Sequence, residues 1–121
     1  MASKFKIGTN IRQWLLASTS ITEKVGDRIY PIVAPMDTTG TFIVYQRDEY
    51  SKEYTKYGVY SEVCKVYITV ISESYDESQE IAELIDTELE GSRDGYQIKL
   101  IDSTEEAVEN KYIQVLLFKI D

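Results

Sequence analysis

Four carboxylates, Asp76, Glu77, Glu80 and Glu83, follow one another at helical spacing. Converging oxygens are what a hard cation such as magnesium or calcium requires. The same spacing describes the solvated face of an acidic helix, and no EF-hand loop accompanies it. The chain has no histidine and a single cysteine, Cys64. The usual general acid–base side chain is therefore missing, and Ser-His-Asp and Cys-His nucleophile systems are excluded. A lone cysteine leaves no pair for an internal disulfide or a zinc motif, and it suits folding in a reducing cytoplasm. No GxGxxG run and no phosphate-loop sequence occurs, so no nucleotide fingerprint is present. Carboxylates are plentiful, but nothing selects a glycosidase-like pair. These residues point to a protein that is not an enzyme and needs neither metal nor cofactor.

The elements that carry these side chains are best read outward from Val25–Arg47. Both prolines, Pro31 and Pro35, lie here with two of the six glycines, Gly26 and Gly40. Proline lacks a donor and disfavours helix in the residue before it, so this stretch is not one helix. Gly26-Asp27 ends a preceding helix. Arg28-Ile29-Tyr30 reads as a short extended piece, and Thr41–Arg47 as a strand rich in β-branched and aromatic residues. Asp37-Thr38-Thr39-Gly40 supplies a turn between them.

Upstream, Ile11, Trp14, Leu15 and Ser18 mark one face of a helix over about Asn10 to Ala17. Trp14, the only tryptophan, reads as a core anchor. Ser20-Ile21-Thr22-Glu23 fits a capping box opening a short helix from Ile21 to Val25. Residues 1–9 suit a short strand, a helix extension or a mobile arm. Downstream, polar Asp48–Val59 reads as a long hairpin connection, mobile in the monomer and ordered by contact, or else as a hairpin whose strands simply run longer, with the tyrosines on their surface. Its Tyr50, Tyr54 and Tyr57 offer large contact area at small entropy loss. Tyr60–Ser72 alternates as a strand with Cys64, Val66, Ile68 and Val70 facing the core. Asp76–Glu90 is a helix with Ile81, Leu84, Ile85 and Leu89 as its buried stripe, and Gly91 closes it. Tyr96–Leu100 forms a further strand, Asp102–Asn110 an acidic connection, and Tyr112–Ile120 the last strand. Leu116, Phe118 and Ile120 face the core. Val115 and Leu117 then face the other way, where a free-standing sheet is ordinarily polar.

A chain of 121 residues holds one domain, residues 1–121, with room for one core. The elements make an α+β fold, a mostly antiparallel four-stranded sheet with helices packed on one face. The longest apolar run near the C-terminus, Val115–Phe118, is far short of the ~20 residues that span a bilayer, and the N-terminus shows no signal peptide. The net charge is −8, unevenly spread. Residues 1–35 carry five basic side chains against two acidic ones, whereas residues 72–110 carry thirteen acids against Arg93 and Lys99. An acidic chain is a poor wrapper of nucleic acid, because that affinity comes from neutralising phosphates. The acidic half reads either as a solvated face or as a surface for a basic partner, a second copy included.

Val25-Gly26-Asp27-Arg28-Ile29-Tyr30-Pro31, then Ala34-Pro35, then Phe42-Ile43-Val44-Tyr45-Gln46 resembles the signature of the tail-completion, or tail-terminator, proteins of long-tailed bacteriophages. Val66–Ile71 followed by Ser74-Tyr75-Asp76-Glu77 is similar to that family's third strand and the start of its helix. The resemblance runs over roughly residues 10 to 120 and brings no catalytic residues. It implies a structural virion protein that forms a ring, typically a hexamer, at the head-proximal end of the tail tube. Such a ring stops tube growth and gives the head connector its docking surface. Implied partners are other copies of the chain, the tail tube protein and the head connector or completion protein. DNA passes through the lumen without specific recognition, and no membrane is involved. The implied location is the virion neck, with assembly in the host cytoplasm. A neck or tube subunit of the same virion, a non-viral acidic interaction module, and a small enzyme using only carboxylates and tyrosines are the rival readings.

A ring of identical subunits needs two different surfaces on each. Lys4, Lys6 and Arg12 are the basic candidate, and Glu80, Glu83, Asp86 and Glu88 the acidic one. Tyr67, Ile71, Val115 and Leu117 are the apolar candidates on the helix-free sheet face, with Tyr50, Tyr54 and Tyr57 in addition.

Overall fold

The computed structural model describes residues 4–121; residues 1–3, the start of the anticipated arm, lie outside them. Lys4–Lys6 form a single 3-10 turn that runs straight into α1, Ile7–Leu16. Of the three conformations open for this end, helix extension is the one adopted. Ile7, Ile11, Trp14 and Leu15 are the buried face of α1. α2 spans Thr19–Val25, and its cap is Ser18, whose hydroxyl accepts from the Ile21 amide at 3.4 Å. The capping box anticipated at Ser20 does not form: the cap is Ser18, which holds the extended conformation that a cap requires, and the third helical residue is then Ile21, which cannot reach back.

The sheet has six strands rather than four, in the order β1-β2-β3-β6-β5-β4. β1 is Ile29–Pro31, β2 Phe42–Thr55 and β3 Gly58–Ser72. Helix α3, Tyr75–Leu89, follows, and then β4 at Gly91–Arg93, β5 at Tyr96–Val108 and β6 at Lys111–Ile120. The two additional strands are the three-residue margins. β1 pairs parallel to β2, with Ile29 beside Ile43, and its Pro31 is tolerated because it sits at the strand end on the sheet's margin. β4 joins β5 through a two-residue turn, Asp94-Gly95, with φ of 51° and 88°. Asp-Gly is a preferred pair for such a tight hairpin. Gly91 begins β4, while the cap residue of α3 is Glu90.

Asp48–Val59 is not a loop. β2 continues to Thr55 and β3 begins at Gly58, so only Lys56 and Tyr57 turn the chain. The segment from Gly58 to Cys64 pairs with β2 alone, because β6 reaches β3 no farther than Lys65. A two-stranded arm therefore extends beyond the body by roughly 20 Å at about 3.3 Å per residue. The acidic stretch after Leu100 is also strand. β5 pairs with β6 as far as Val108 opposite Lys111. Glu109 and Asn110 close that hairpin with φ of 51° and 67°. A shift of register between Leu100 and Asp102 turns the following side chains to the other face.

The helices lie on one face and close the core. Cys64, Val66, Ile68 and Val70 of β3 are fully buried, and Leu116, Phe118 and Ile120 of β6 nearly so. Ile81, Ile85 and Leu89 of α3 pack onto them, with Leu84 partly buried beside the cluster. Trp14 is the core anchor that its sequence position indicated. Its indole N–H donates to Asp94 at 2.7 Å, its ring meets Tyr96 edge-on, and the Arg93 guanidinium lies over it. Burial pushes the Cys64 thiol above its ordinary pKa, so it is a poor nucleophile.

Candidate functional site

The face of the sheet away from the helices carries a groove of about 570 Å³. Alternation along β3 and β6 puts Tyr67, Ile71, Val115 and Leu117 on this side, and all four line it. Cross-strand pairing sets Tyr67 opposite Leu117, Thr69 opposite Val115 and Ile71 opposite Ile113. The register shift in β5 then brings Asp102, Thr104 and Glu106 beside Leu117, Val115 and Ile113 as a polar rim. Ile32 and Val44 line the groove on the β1–β2 side. Its floor is apolar and half-exposed, unlike the fully buried helix side.

The other anticipated surface residues are distributed differently. Lys4 is buried at 4% exposure, and its ammonium meets Glu62 at 2.6 Å. Burial alone lowers the Lys4 pKa, but the hydrogen bond and charge of Glu62 leave it raised overall. The same bond holds the Glu62 carboxyl below its ordinary value. The Tyr50 hydroxyl donates to Glu62 at 3.2 Å and accepts from the Lys4 amide at 3.3 Å. Phe5 stacks edge-on against Tyr50, and Arg47 lies over Phe5. Lys4 and Tyr50 thus fasten the base of the arm to the N-terminal turn and are not free contact groups. Lys6 is exposed, and Arg12 uses its Nε to hold the Ile29 carbonyl. At the tip of the arm Tyr54 and Tyr57 are exposed, at 67% and 88%.

The acidic candidates on α3 are partly neutralised. Glu80 pairs with Lys24 at 3.1 Å, and Glu88 with Arg93 at 2.6 Å. Glu83 is exposed. Asp86 is half-buried with one carboxylate oxygen lacking a hydrogen bond; burial first and the Glu90 charge second raise its pKa. Asp76 and Glu77 serve the start of α3. There the Ser74 hydroxyl accepts from the Glu77 amide, and Glu77 accepts from Thr41. Among the described residues no group of three or more His, Cys, Asp or Glu side chains is placed to hold a metal ion. No described helix is long and apolar enough to cross a membrane.

Two features escaped the reading of the sequence. In the connector after β1, Ile32, Val33 and Met36 are exposed at 66%, 73% and 106%. The signal for them was the apolar run between two prolines, in a place where neither helix nor inner strand can form. The second is a cluster in which the Tyr75 hydroxyl donates to Glu105, and Gln114 links Glu105 to the Ser78 hydroxyl. Tyr112 meets Tyr75 edge-on there. It forms only when β5 extends as a strand, and the acidic run alone gave no sign of it.

The family model for Tail completion protein gp17 matches residues 9–107. The chain belongs to the tail completion protein family. It is a structural protein of tail assembly and a virion component, as the resemblance of the Val25–Gln46 region implied. No curated protein matches the sequence. Among solved structures, the fold of this tail completion protein is similar to that of a chain from the virion of a native gene transfer agent particle. The TM-score is 0.79 at 20% identity, covering 94% of this chain and 92% of the other. At that identity the likeness is one of fold.

Proposed function

We propose that this tail completion protein forms a closed ring, a hexamer, at the head-proximal end of a tail tube. There it stops tube growth and presents the surface to which the head connector or completion protein docks. The tail tube protein is its neighbour on the other side. DNA passes through the lumen without specific contact, consistent with the net charge of −8. Assembly takes place in the host cytoplasm and the finished ring sits in the neck of the virion. The mechanism is interface geometry, with no covalent chemistry.

The observation that carries this reading is the half-exposed apolar groove on the helix-free face, in a chain of this family. Exposed ion pairs contribute about 0–1 kcal/mol each and are screened by salt. Full burial of a leucine contributes about 1.5–3 kcal/mol. Charges therefore orient neighbouring subunits, and apolar area holds them. With Lys4, Glu80 and Glu88 already paired within the chain, this division of roles is sharper still.

Leu117→Asp tests it. The expected result is a chain with wild-type circular dichroism that light scattering finds as a monomer and that no longer caps tails. Rings formed by the variant would remove the groove from the interface. An unfolded variant would make Leu117 a core residue.

A further inference from the structure

Ile32 has φ of 65°, a conformation that β-branched residues almost never adopt. Its amide donates to the Tyr45 carbonyl at 2.8 Å, and the next amide, Val33, donates back to the Pro31 carbonyl at 2.6 Å. That is a three-residue γ-turn of the rare, strained kind. The strain secures little packing inside the chain: Ile32 only borders the near end of the groove, and Val33 and Met36 project into solvent. Strain of this sort persists where the surroundings impose it, and it gathers at sites of function.

The location of the turn suggests an occupant for the groove. The turn follows β1, one margin of the sheet, whereas Asp102, Thr104 and Glu106 line the groove from β5, toward the other margin. One copy placed with its β1 margin against the β5 margin of the next brings a projecting apolar turn to an apolar groove. The charges agree. Beside the turn, Arg47 shares an edge pocket with Ile32 and Phe5, and exposed Lys6 adjoins Phe5. On β5, Asp102 and Glu106 line the groove, Glu109 follows in the turn, and residues 100–109 carry no cation. A contact between two different patches is head-to-tail and closes into a ring when the rotation permits.

We propose that Val33 and Met36, held out by the Ile32 turn, form a plug that seats in the sheet-face groove of a second copy, with Arg47 facing Asp102 and Glu106. This assignment rests on the ring reading and specifies its contact. The plug residues are exposed, so their substitution leaves the monomer intact. Val33→Asp and Met36→Asp each weaken self-association by about tenfold or more, the loss of one buried apolar side chain.

The test uses the full chain at high concentration, carrying Met36→Cys and Thr104→Cys together under mild oxidation; native Cys64 is buried and stays inert. The expected result is a ladder of disulfide-linked oligomers, and dimers only when the two single variants are mixed. Thr104→Cys alone should give no ladder. Wild-type rings in light scattering with no cross-link in the double variant would overturn the plug and leave the ring standing. A cross-linked pair of Met36→Cys chains alone would show a two-fold contact and overturn the head-to-tail arrangement. A wild-type chain that stays monomeric in light scattering at every concentration, together with no cross-link in the double variant, would remove ring and plug together.

Discussion

The two faces of the sheet are built from alternate residues of the same strands, yet they differ in kind. On the helix side, Val66, Ile68 and Val70 of β3 and Phe118 of β6 show no exposed surface, and α1 and α3 complete a closed core. On the other side, Tyr67, Thr69, Val115 and Leu117 line an open groove with carboxylates on its rim. One step along β6, from Phe118 to Leu117, passes from interior to surface. Covered residues hold the monomer together. Partly covered apolar residues contribute less to the monomer and keep surface available to a neighbour.

The largest expected effect compares these two neighbours directly. Phe118→Ala should destabilise the monomer by about 3–5 kcal/mol through lost burial and a cavity. Leu117→Ala should cost clearly less, about 1–2 kcal/mol, since Leu117 is only partly buried and leaves no closed cavity. Urea denaturation of both variants checks this, and equal losses would erase the distinction between the faces.

The Ile32 turn sharpens the comparison from the opposite direction. Ile32→Gly removes a side chain that contributes little packing and relieves its left-handed backbone, so the monomer should gain about 1 kcal/mol. Thermal unfolding reads the gain. A loss of similar size would mean that Ile32 packs within the monomer.

Two carboxylates should respond oppositely to acid. The Glu62 pKa is depressed, mainly by the Lys4 bond, so its contribution is complete above the ordinary 4.5 and is lost as pH falls through the folded value. The Lys4 pKa is raised, so its share is complete below 10.5 and is lost as pH rises through the folded value. The Asp86 pKa is also raised, so the folded chain binds that proton more tightly and gains stability as pH falls through it. Melting curves of Glu62→Gln and Asp86→Asn against pH should therefore diverge from wild type in opposite senses. At neutral pH the first variant melts lower and the second higher, and both differences shrink in acid. Parallel shifts would refute the assignment of either group.

The smallest effect belongs to the charges. Lys6→Ala should slow association at low ionic strength, leave it unchanged in high salt, and leave the monomer's melting point alone. Stopped-flow light scattering at two salt concentrations measures this.

How far the sequence could be read followed the strength of local signals. The α3 stripe and the β3 alternation identified core and groove residues, because each strand face repeats every second residue. The arm was misread because both of its faces meet water, so residues 48–57 carry no apolar alternation and look like a polar loop. The acidic run after Leu100 was misread for the same reason. In contrast, the Asp94-Gly95 pair carried a readable hairpin signal between β4 and β5 that went unused.

The sequence by itself determined the two-sided chemistry of the sheet, the buried helix stripes and the tail completion family, because these rest on periodicity and on the order of residues along the chain. Tertiary structure alone decided which charges remain available. Lys4 is silenced by Glu62, 58 positions away, and Trp14 is tied to Asp94 across 80. It also decided that polar residues 48–64 stand as a ribbon and that Ile32 is held in a strained turn. Each of these depends on a partner brought close by folding, and separation along the chain carries no signal of that approach.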